Sequence, residues 1–331
     1  MIKFISAASA IVLVLGLALS SHAASAAPGQ IRSVQTERFY TLGTGGGPIP
    51  HATRAQPANL LMIDHQGILI DVGDGATSQL GRVGVPVEDV KALFISHLHF
   101  DHTAGLLGFL SRRFQMAVPG EVTIYGPPGT RAMVDGVFAT MRPALGAWSN
   151  LRQRSTAPLD AMARVVEIED GWHGVVAGVP GVTAIAASNT HYASLPDSAG
   201  VAKMDTYAFR FETARRAIVY TGDTGPSPAV ARLAHNADFL FAEIIDADGL
   251  LARLARSRPD ISAAALATIA DHYRREHLSP AAVGELAREA GAKALIIIHN
   301  GLSESGEAAA RKGVRHAYRG SLKFANDLDV F

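Results

Sequence analysis

The residues best suited to chemistry lie in one stretch, Ser96-His97-Leu98-His99-Phe100-Asp101-His102. Three imidazoles and a carboxylate, all side chains that bind divalent metals, fall within six positions there. His97 and His99 are two residues apart, so in an extended segment they point to the same side. Asp101 and His102 follow after the chain has turned. A polar loop with surface histidines is disfavoured by this density, and the stretch indicates metal binding.

The segments around this stretch predict how it is positioned. The apolar run at 92–95 before it is typical of a buried strand, and the small-residue run at 103–108 after it is helix-like. One strand end cannot saturate two metals, so further ligands are expected at later strand ends. An apolar run ends shortly before each of three residues, His191, Asp223 and His299. Taken singly, each is more often a cap or turn residue, but the recurrence indicates a shared metal edge.

Composition limits the classes of function. The chain has 331 residues and is 48% hydrophobic, which is enough for a large buried core. Its formal net charge is zero, unlike a protein that holds nucleic acid by counterion release. The arginines at 142, 152, 154, 253, 256 and 258 are interpreted as solvated surface. Because there is no cysteine, any metal is held by His, Asp and Glu, which favours zinc, manganese or iron.

The N-terminal residues have the three-part pattern of a secretory signal peptide. A short positive start precedes an apolar run at 4–20, and small residues with an Ala24-Ser25-Ala26 cleavage site follow. A retained membrane anchor is the alternative, but the run is short for a span. We predict a cleaved signal at 1–26, no stable membrane anchor after cleavage, and a single mature domain at 31–331. The periplasm is favoured over full secretion, which the sequence does not exclude.

Helix and strand patterns alternate through the mature chain, with antiparallel hairpins mixed in. A hairpin is predicted at 59–71, strands near 38–42, 122–125, 165–168, 182–187, 207–211, 217–220, 239–245 and 294–298, and helices near 77–83, 131–141, 228–235, 261–270 and 280–290. This pattern indicates an α/β protein in which helices cover mixed sheets. The glycine-rich loop at 43–50 lacks the lysine of a nucleotide P-loop. Residues 142–160 are interpreted as a loop or lid.

The combined pattern resembles the metallo-β-lactamase-fold hydrolases over nearly the whole mature chain. It consists of His97-x-His99-x-Asp101-His102, then His191, Asp223 and His299. Three further features are similar to the ribonuclease Z and arylsulfatase branch. They are Leu42-Gly43-Thr44-Gly45 with Arg54, Glu243 within an apolar strand, and His277 before a helix.

The resemblance implies a four-layer αβ/βα sandwich of two mixed β-sheets flanked by helices, with metals at one edge. It also implies that His97, His99 and His191 hold a first metal, that Asp101, His102 and His299 hold a second, and that Asp223 bridges them. Two divalent ions, zinc before manganese or iron, would share a hydroxide that Asp101 orients.

A leaving group also needs a proton. His277 is the natural general acid, and Glu243 would hold its ring, since an unpaired carboxylate in an apolar strand is costly.

The leading functional hypothesis is an exported dinuclear metal hydrolase of a phosphodiester or sulfate ester. A lactonase or β-lactamase-like hydrolase, a non-catalytic metal- or ligand-binding protein and a metal-dependent oxidoreductase are the alternatives. We expect a small anionic ester as substrate. Transfer RNA fits poorly, because the chain has a signal sequence and no long basic arm, but nucleic acid is not excluded. A homodimer is compatible with the sequence, which does not give the oligomeric state.

The histidines without a comparable context are interpreted as surface or structural. They are His51, His65, His173, His235, His272 and His316, with His51 the strongest exception because it is near Arg54.

Overall fold

The computed structural model describes residues 36–145, 158–193, 204–303 and 305–331. The predicted signal peptide at 1–26 and residues 146–157 of the expected loop or lid lie outside the described residues, so both interpretations stay predictions there. At its described start the loop prediction is wrong, because residues 142–145 continue the preceding helix. Among the helices that are described, none combines the length and the apolar character needed to cross a bilayer.

Strands and helices alternate along the described chain. The strands are β1 Glu37–Gly43, β2 Ala58–Ile63, β3 Gln66–Val72, β4 Val90–Phe94, β5 Val122–Gly126, β6 Ala163–Glu167, β7 His173–Val175, β8 Thr183–Ser188, β9 Tyr207–Glu212, β10 Ala217–Tyr220, β11 Phe239–Ile245, β12 Ala294–Gly301, β13 Ser321–Phe324 and β14 Asp329–Val330. The helices are α1 Ala76–Arg82, α2 Phe100–Thr103, α3 Leu106–Gln115, α4 Thr130–Leu145, α5 Pro228–Leu233, α6 Ala247–Ser257, α7 Ala263–Arg275, α8 Pro280–Ala290 and α9 Glu307–Ala317.

The strands form two mixed sheets. The first has the order β14-β1-β2-β3-β4-β5-β6, and the second has the order β13-β12-β11-β10-β9-β8-β7. In the first sheet β3 to β6 pair in parallel, and β14, β1, β2 and β3 pair antiparallel. In the second sheet β10 to β13 pair in parallel, whereas β7 to β10 pair antiparallel. The predicted hairpin is the β2–β3 pair.

The main core lies between the two sheets. Phe39 of β1 stacks on Phe241 of β11 with ring centroids 3.9 Å apart. Phe94 of β4 meets Phe209 and Phe211 of β9 edge-on at 5.2 and 5.1 Å. Such aromatic pairs add about 0.5–1.5 kcal/mol beyond the apolar area that they bury. These contacts fix the inner faces of the sheets against each other.

Helices cover the outer face of each sheet. Leu93 of β4 belongs to a buried cluster with Phe109 of α3 and Val134 of α4. Leu295 of β12 belongs to another with Val283 of α8. Strands buried on both faces have nearly continuous apolar sequences, which explains the apolar runs that predicted them. The result is the four-layer αβ/βα sandwich, and the predicted fold class is confirmed.

Several strands end at one common edge of the sandwich. β10, β11 and β12 run in parallel, and the antiparallel β8 and β9 bring the end of β8 to the same place. In β12 the register changes between the Ala242–Ile297 and Ile244–Asn300 pairs, so one extra residue is inserted opposite Glu243. His299 lies in this bulge with a φ of 38°. Bulges re-aim side chains beside active sites, and this one accounts for the position of His299.

Candidate metal centre and active site

The first group of metal-binding side chains comprises three histidines. After β4 ends, the chain bends at Ser96, is extended at His99 and then enters the short helix α2. His97 Nε2 lies 3.1 Å from His99 Nδ1, and His191 Nε2 lies 3.0 Å from the same atom. One nitrogen of each ring therefore converges on a single point. The histidines predicted for a first metal are brought together.

The second group comprises Asp101, His102, Asp223 and His299, whose ligand atoms all lie within 4.8 Å of one another. Nε2 of His102 is 3.3 Å from Asp223 Oδ1, and Nε2 of His299 is 3.3 Å from Asp223 Oδ2. Asp101 Oδ2 lies 3.5 and 3.4 Å from the same two nitrogens.

Asp223 lies between the two groups. Its Oδ2 is also 4.0 Å from His97 Nε2 and 3.9 Å from His191 Nε2. This is the position that a bridging carboxylate requires.

The protonation states of the first group fit a metal site. Burial lowers the pKa of His97 and His99, and it lowers the pKa of His191 to about 3. These rings are therefore neutral, as metal ligands must be. Burial opposes ionisation of Asp223, but His299 and His102 outweigh it and hold the pKa of that carboxyl well below its usual range.

Two buried atoms give independent support for a cation. His102 Nε2 and Asp223 Oδ1 are buried without a hydrogen-bond partner, although they face each other. An unsatisfied buried polar atom costs about 1–3 kcal/mol, so such atoms need a ligand to satisfy them. The imidazole and carboxylate donors fit divalent metal ions such as zinc, manganese or iron.

Asp71 organises the outer side of the second group and was missed by the sequence analysis. It is fully buried, and its carboxylate accepts hydrogen bonds from Ser96 N and Oγ, both at 2.8 Å. The same carboxylate accepts a hydrogen bond from the Tyr220 hydroxyl at 2.5 Å and lies 2.8 Å from His102 Nδ1. Such outer partners fix the tautomer and orientation of a ligating histidine. Its signal was an aspartate at the end of an apolar strand, the pattern that identified Asp223.

Asp71→Asn is expected to weaken metal binding by about 10–100-fold, the usual loss when an outer partner of a ligating histidine is removed. The reason is that the asparagine replaces one of the two acceptor oxygens with an NH2 group, which disturbs the contacts with His102 Nδ1, Ser96 and Tyr220. Tyr220→Phe, which removes one donor and leaves the carboxylate, serves as the milder comparison. Metal affinity is measured by competition with a chromophoric chelator. Unchanged affinity in Asp71→Asn with the fold intact contradicts this role.

Glu243 and His277 form a buried pair beside the metal centre. Glu243 Oε2 lies 2.7 Å from His277 Nδ1, and its Oε1 accepts the Thr224 backbone N–H at 2.6 Å. His277 offers a ring nitrogen within 4.8 Å of ligand atoms of His191 and Asp223. Burial alone would lower the pKa of His277, but the Glu243 carboxylate outweighs it and raises that pKa to about 9. The predicted pair therefore exists, with the imidazole favoured in its protonated form.

His272 lies closer to the site than the sequence analysis expected. It was interpreted as surface or structural, but its ring contacts His191 and His277, with centroids 5.5 and 5.3 Å apart. His272 Nδ1 is 2.5 Å from the carboxylate of the buried Glu276, and the Glu276 carbonyl lies 3.1 Å from His191 Nδ1. The spacing of four residues on α7 could have suggested the pair, but only the tertiary packing places it beside the metal centre.

The glycine-rich loop lies against the second metal group. A Cβ at Gly47 would be 1.9 Å from Asp101 Oδ2, so only glycine fits there. Gly46 donates its N–H to the Asn300 carbonyl at 3.2 Å.

Arg54 and His51 support the same loop from outside the ligand groups. Arg54 Nη1 donates to Thr44 Oγ1 at 2.5 Å and to the Ala325 carbonyl at 2.8 Å. His51 Nε2 lies 2.9 Å from the Gly46 carbonyl. In this structure both residues have a structural role.

Comparison with known proteins agrees with this geometry. A family model described as a β-lactamase superfamily domain matches residues 66–300. A ribonuclease Z of Mycolicibacterium gilvum (strain PYR-GCK) is 31% identical over 262 residues, which cover 78% of this chain and 82% of that protein.

Two solved structures share the fold. The metallo-β-lactamase-fold protein YhfI of Bacillus subtilis matches with a TM-score of 0.63 and 18% identity, over 89% of this chain and 98% of its own. The short form of human tRNase Z matches with a TM-score of 0.59 and 20% identity, over 89% and 98%. The chain therefore belongs to the β-lactamase superfamily and is a metal-dependent hydrolase with the metallo-β-lactamase fold, related to ribonuclease Z.

Proposed function

We propose that this protein is an exported dinuclear metal hydrolase that cleaves a phosphodiester or a sulfate ester, with His277 as the general acid. The observation that carries the proposal is the contact of 2.7 Å between His277 Nδ1 and Glu243 Oε2, directly beside the Asp223 group. A site that only activates water has no need of a buried carboxylate–imidazole pair. Cleavage of an ester with a poor leaving group is helped by one, because an alkoxide must be protonated as it leaves.

The residues divide between binding and proton transfer. His97, His99 and His191 would hold one divalent ion, Asp101, His102 and His299 a second, and Asp223 would contact both, with zinc the expected metal. When bound, such ions polarise the ester and lower the pKa of water so that a nucleophile is available at neutral pH.

The remaining steps belong to the side chains. Asp101 accepts a hydrogen bond from the attacking nucleophile and orients it. His277 donates a proton to the leaving oxygen, and Glu243 holds the His277 ring through Nδ1 so that Nε2 carries that proton.

A tetrahedral anionic centre is the common feature of the two proposed ester classes. The relationship to ribonuclease Z supports the phosphodiester, since that relative is named for cleaving a ribonucleic acid. We favour a small ester over transfer RNA, because the chain has zero net charge and a predicted signal for export. Nucleic acid is the alternative that the substrate test must address.

A hydrolysis panel on the purified, metal-analysed mature protein tests this function. It comprises aryl phosphodiesters, cyclic nucleotides, aryl sulfates, a short RNA, lactones and a chromogenic cephalosporin. We expect turnover on the phosphodiesters or sulfates, and those with poor leaving groups should turn over at least tenfold faster than in His277→Ala. Turnover confined to the lactone or the cephalosporin would contradict the proposed function. A preference for the RNA would contradict the proposal that the substrate is a small ester.

Export is tested separately by determining the N-terminal residue and the cellular location of the protein after expression in a bacterial host. Cleavage after Ala26 and recovery in the periplasmic fraction are expected, since residues 1–26 carry the pattern of a cleaved signal. A cytoplasmic protein that retains residues 1–26 contradicts export and leaves the chemistry untouched.

A further inference from the structure

Exposed apolar side chains occur in the segments that contact the candidate metal centre. Phe100 is 83% exposed, Ile49 43% and Met204 40%. Within the described ranges only seven large apolar side chains are exposed to this degree, and these are three of them. Single exposed apolar residues are ordinary, but a group of them at one place indicates a binding surface.

The position of Phe100 is fixed by the centre itself. It lies between His99, a member of the first ligand group, and Asp101, a member of the second. The turn around it is closed by His102 N and Thr103 Oγ1, which donate to the His99 carbonyl at 3.1 and 2.9 Å. The Phe100 ring contributes almost nothing to the core, so folding does not explain an aromatic residue here.

Ile49 belongs to the glycine-rich loop, which contacts the same site. The loop contacts Asp101 at Gly47, where a Cβ would lie 1.9 Å from Oδ2. Ile49 follows two residues later.

Met204 precedes β9, whose first residue contacts the histidine stretch. Tyr207 donates its backbone N–H to the Ser96 carbonyl at 2.9 Å, and Thr206 accepts from Asn189 N at 3.0 Å. Met204 therefore lies three residues from a backbone bond to the histidine stretch. Three separate segments, each in contact with the candidate centre or with the histidine stretch, thus carry an exposed apolar side chain.

We infer that Phe100, with Ile49 and Met204, forms an apolar subsite that binds the aryl or alkyl group of the ester. This inference rests on the proposed function and gives its substrate class: an anionic centre held at the metals and an apolar group against Phe100. Burial of one aryl or alkyl group against such side chains strengthens binding by about tenfold to a hundredfold. Aromatic groups gain most, because offset or edge-on rings add to the area term.

Methyl-, butyl- and phenylphosphonate are suitable probes, since they present one tetrahedral anion and are not cleaved. Their dissociation constants are measured by calorimetry with the full, metal-loaded protein. We expect phenylphosphonate to bind at least about tenfold more tightly than methylphosphonate, with a more negative heat-capacity change. Phe100→Ala should remove most of this preference and leave methylphosphonate affinity unchanged. Phe100→Leu should keep the butyl preference and lose part of the phenyl preference.

Met116→Ala is the matched control, because Met116 is 60% exposed directly after α3 and has none of the contacts described above. An undiminished phenyl preference in Phe100→Ala overturns the inference. The inference is also overturned if Phe100→Ala weakens the binding of a short single-stranded RNA but not the binding of phenylphosphonate. The Phe100 ring would then bind nucleobases. Failure of the ester panel with the phosphonate preference intact would overturn the proposed function and not the subsite.

Discussion

Asp223→Ala is expected to release both metal ions and abolish turnover. The Asp223 carboxylate lies within 4.0 Å of ligand nitrogens from both groups, so its removal affects each site at once. The loss of activity should exceed the roughly 10–100-fold that follows removal of an outer partner, because a direct ligand is lost. Metal content is measured by inductively coupled plasma mass spectrometry and turnover on the best ester of the panel.

Asp135→Ala provides the control for this variant. Asp135 is an exposed aspartate on α4, and its replacement should change neither metal content nor turnover. Circular dichroism shows whether Asp223→Ala keeps its fold. A folded Asp223→Ala protein with two metals and full activity contradicts the bridging role.

His277→Ala is expected to retain the metals and to slow esters of poor leaving groups by about 10²–10⁴-fold, the usual contribution of a general acid. Activated 4-nitrophenyl esters should slow far less, because 4-nitrophenolate leaves without a proton. The measurement is kcat for a series of esters that differ only in the pKa of the leaving alcohol or phenol. Equal slowing across the series would show that His277 is not the acid.

The same pair predicts a pH effect with a defined sign. The protonated imidazole is the active form, so kcat falls as pH rises through the pKa of His277. Glu243 raises that pKa to about 9, and in Glu243→Gln the falling limb should therefore move to lower pH. Glu285→Gln, an exposed change on α8, should leave the limb in place. Identical limbs in wild type and Glu243→Gln refute the coupling.

The grouping of the candidate ligands could be predicted because each of them leaves a local mark. His97, Asp223 and His299 follow apolar runs that the sheets bury on both faces, so the residue type and the preceding strand are visible together. Helix α8 was predicted at its actual bounds for a similar reason. Ser279 caps it by accepting the Ala282 N–H at 3.2 Å, and Gly291 ends it with a φ of 63°.

Elements without such marks were not predicted. β7 and β14 are edge strands of three and two residues, too short to show an alternating pattern. β13 is also at an edge, where only one neighbour buries it. Helix α9 buries only Ala310 and Val314, so few large apolar residues mark its buried face in the sequence. Helix α6 buries only Leu251, and its Arg253 and Arg256 were interpreted as solvated surface, an interpretation that does not specify a helix.

The outer partners of the centre depend on contacts that no local pattern contains. Asp71 and Tyr220 are 149 residues apart and meet only because the two sheets pack face to face. Glu276 reaches His191 across 85 residues. The sequence therefore indicated which side chains gather at the candidate metal centre and could not show which outer side chains support them.

Metal reconstitution is the most direct test of the central claim, that this chain works through two metals held by seven side chains. The protein is stripped with a chelator, verified metal-free, and titrated with zinc while ester hydrolysis is followed. Activity should be absent at the start and should rise until two equivalents are bound. Full activity in the verified metal-free protein, or full activity with one equivalent bound, would contradict the account.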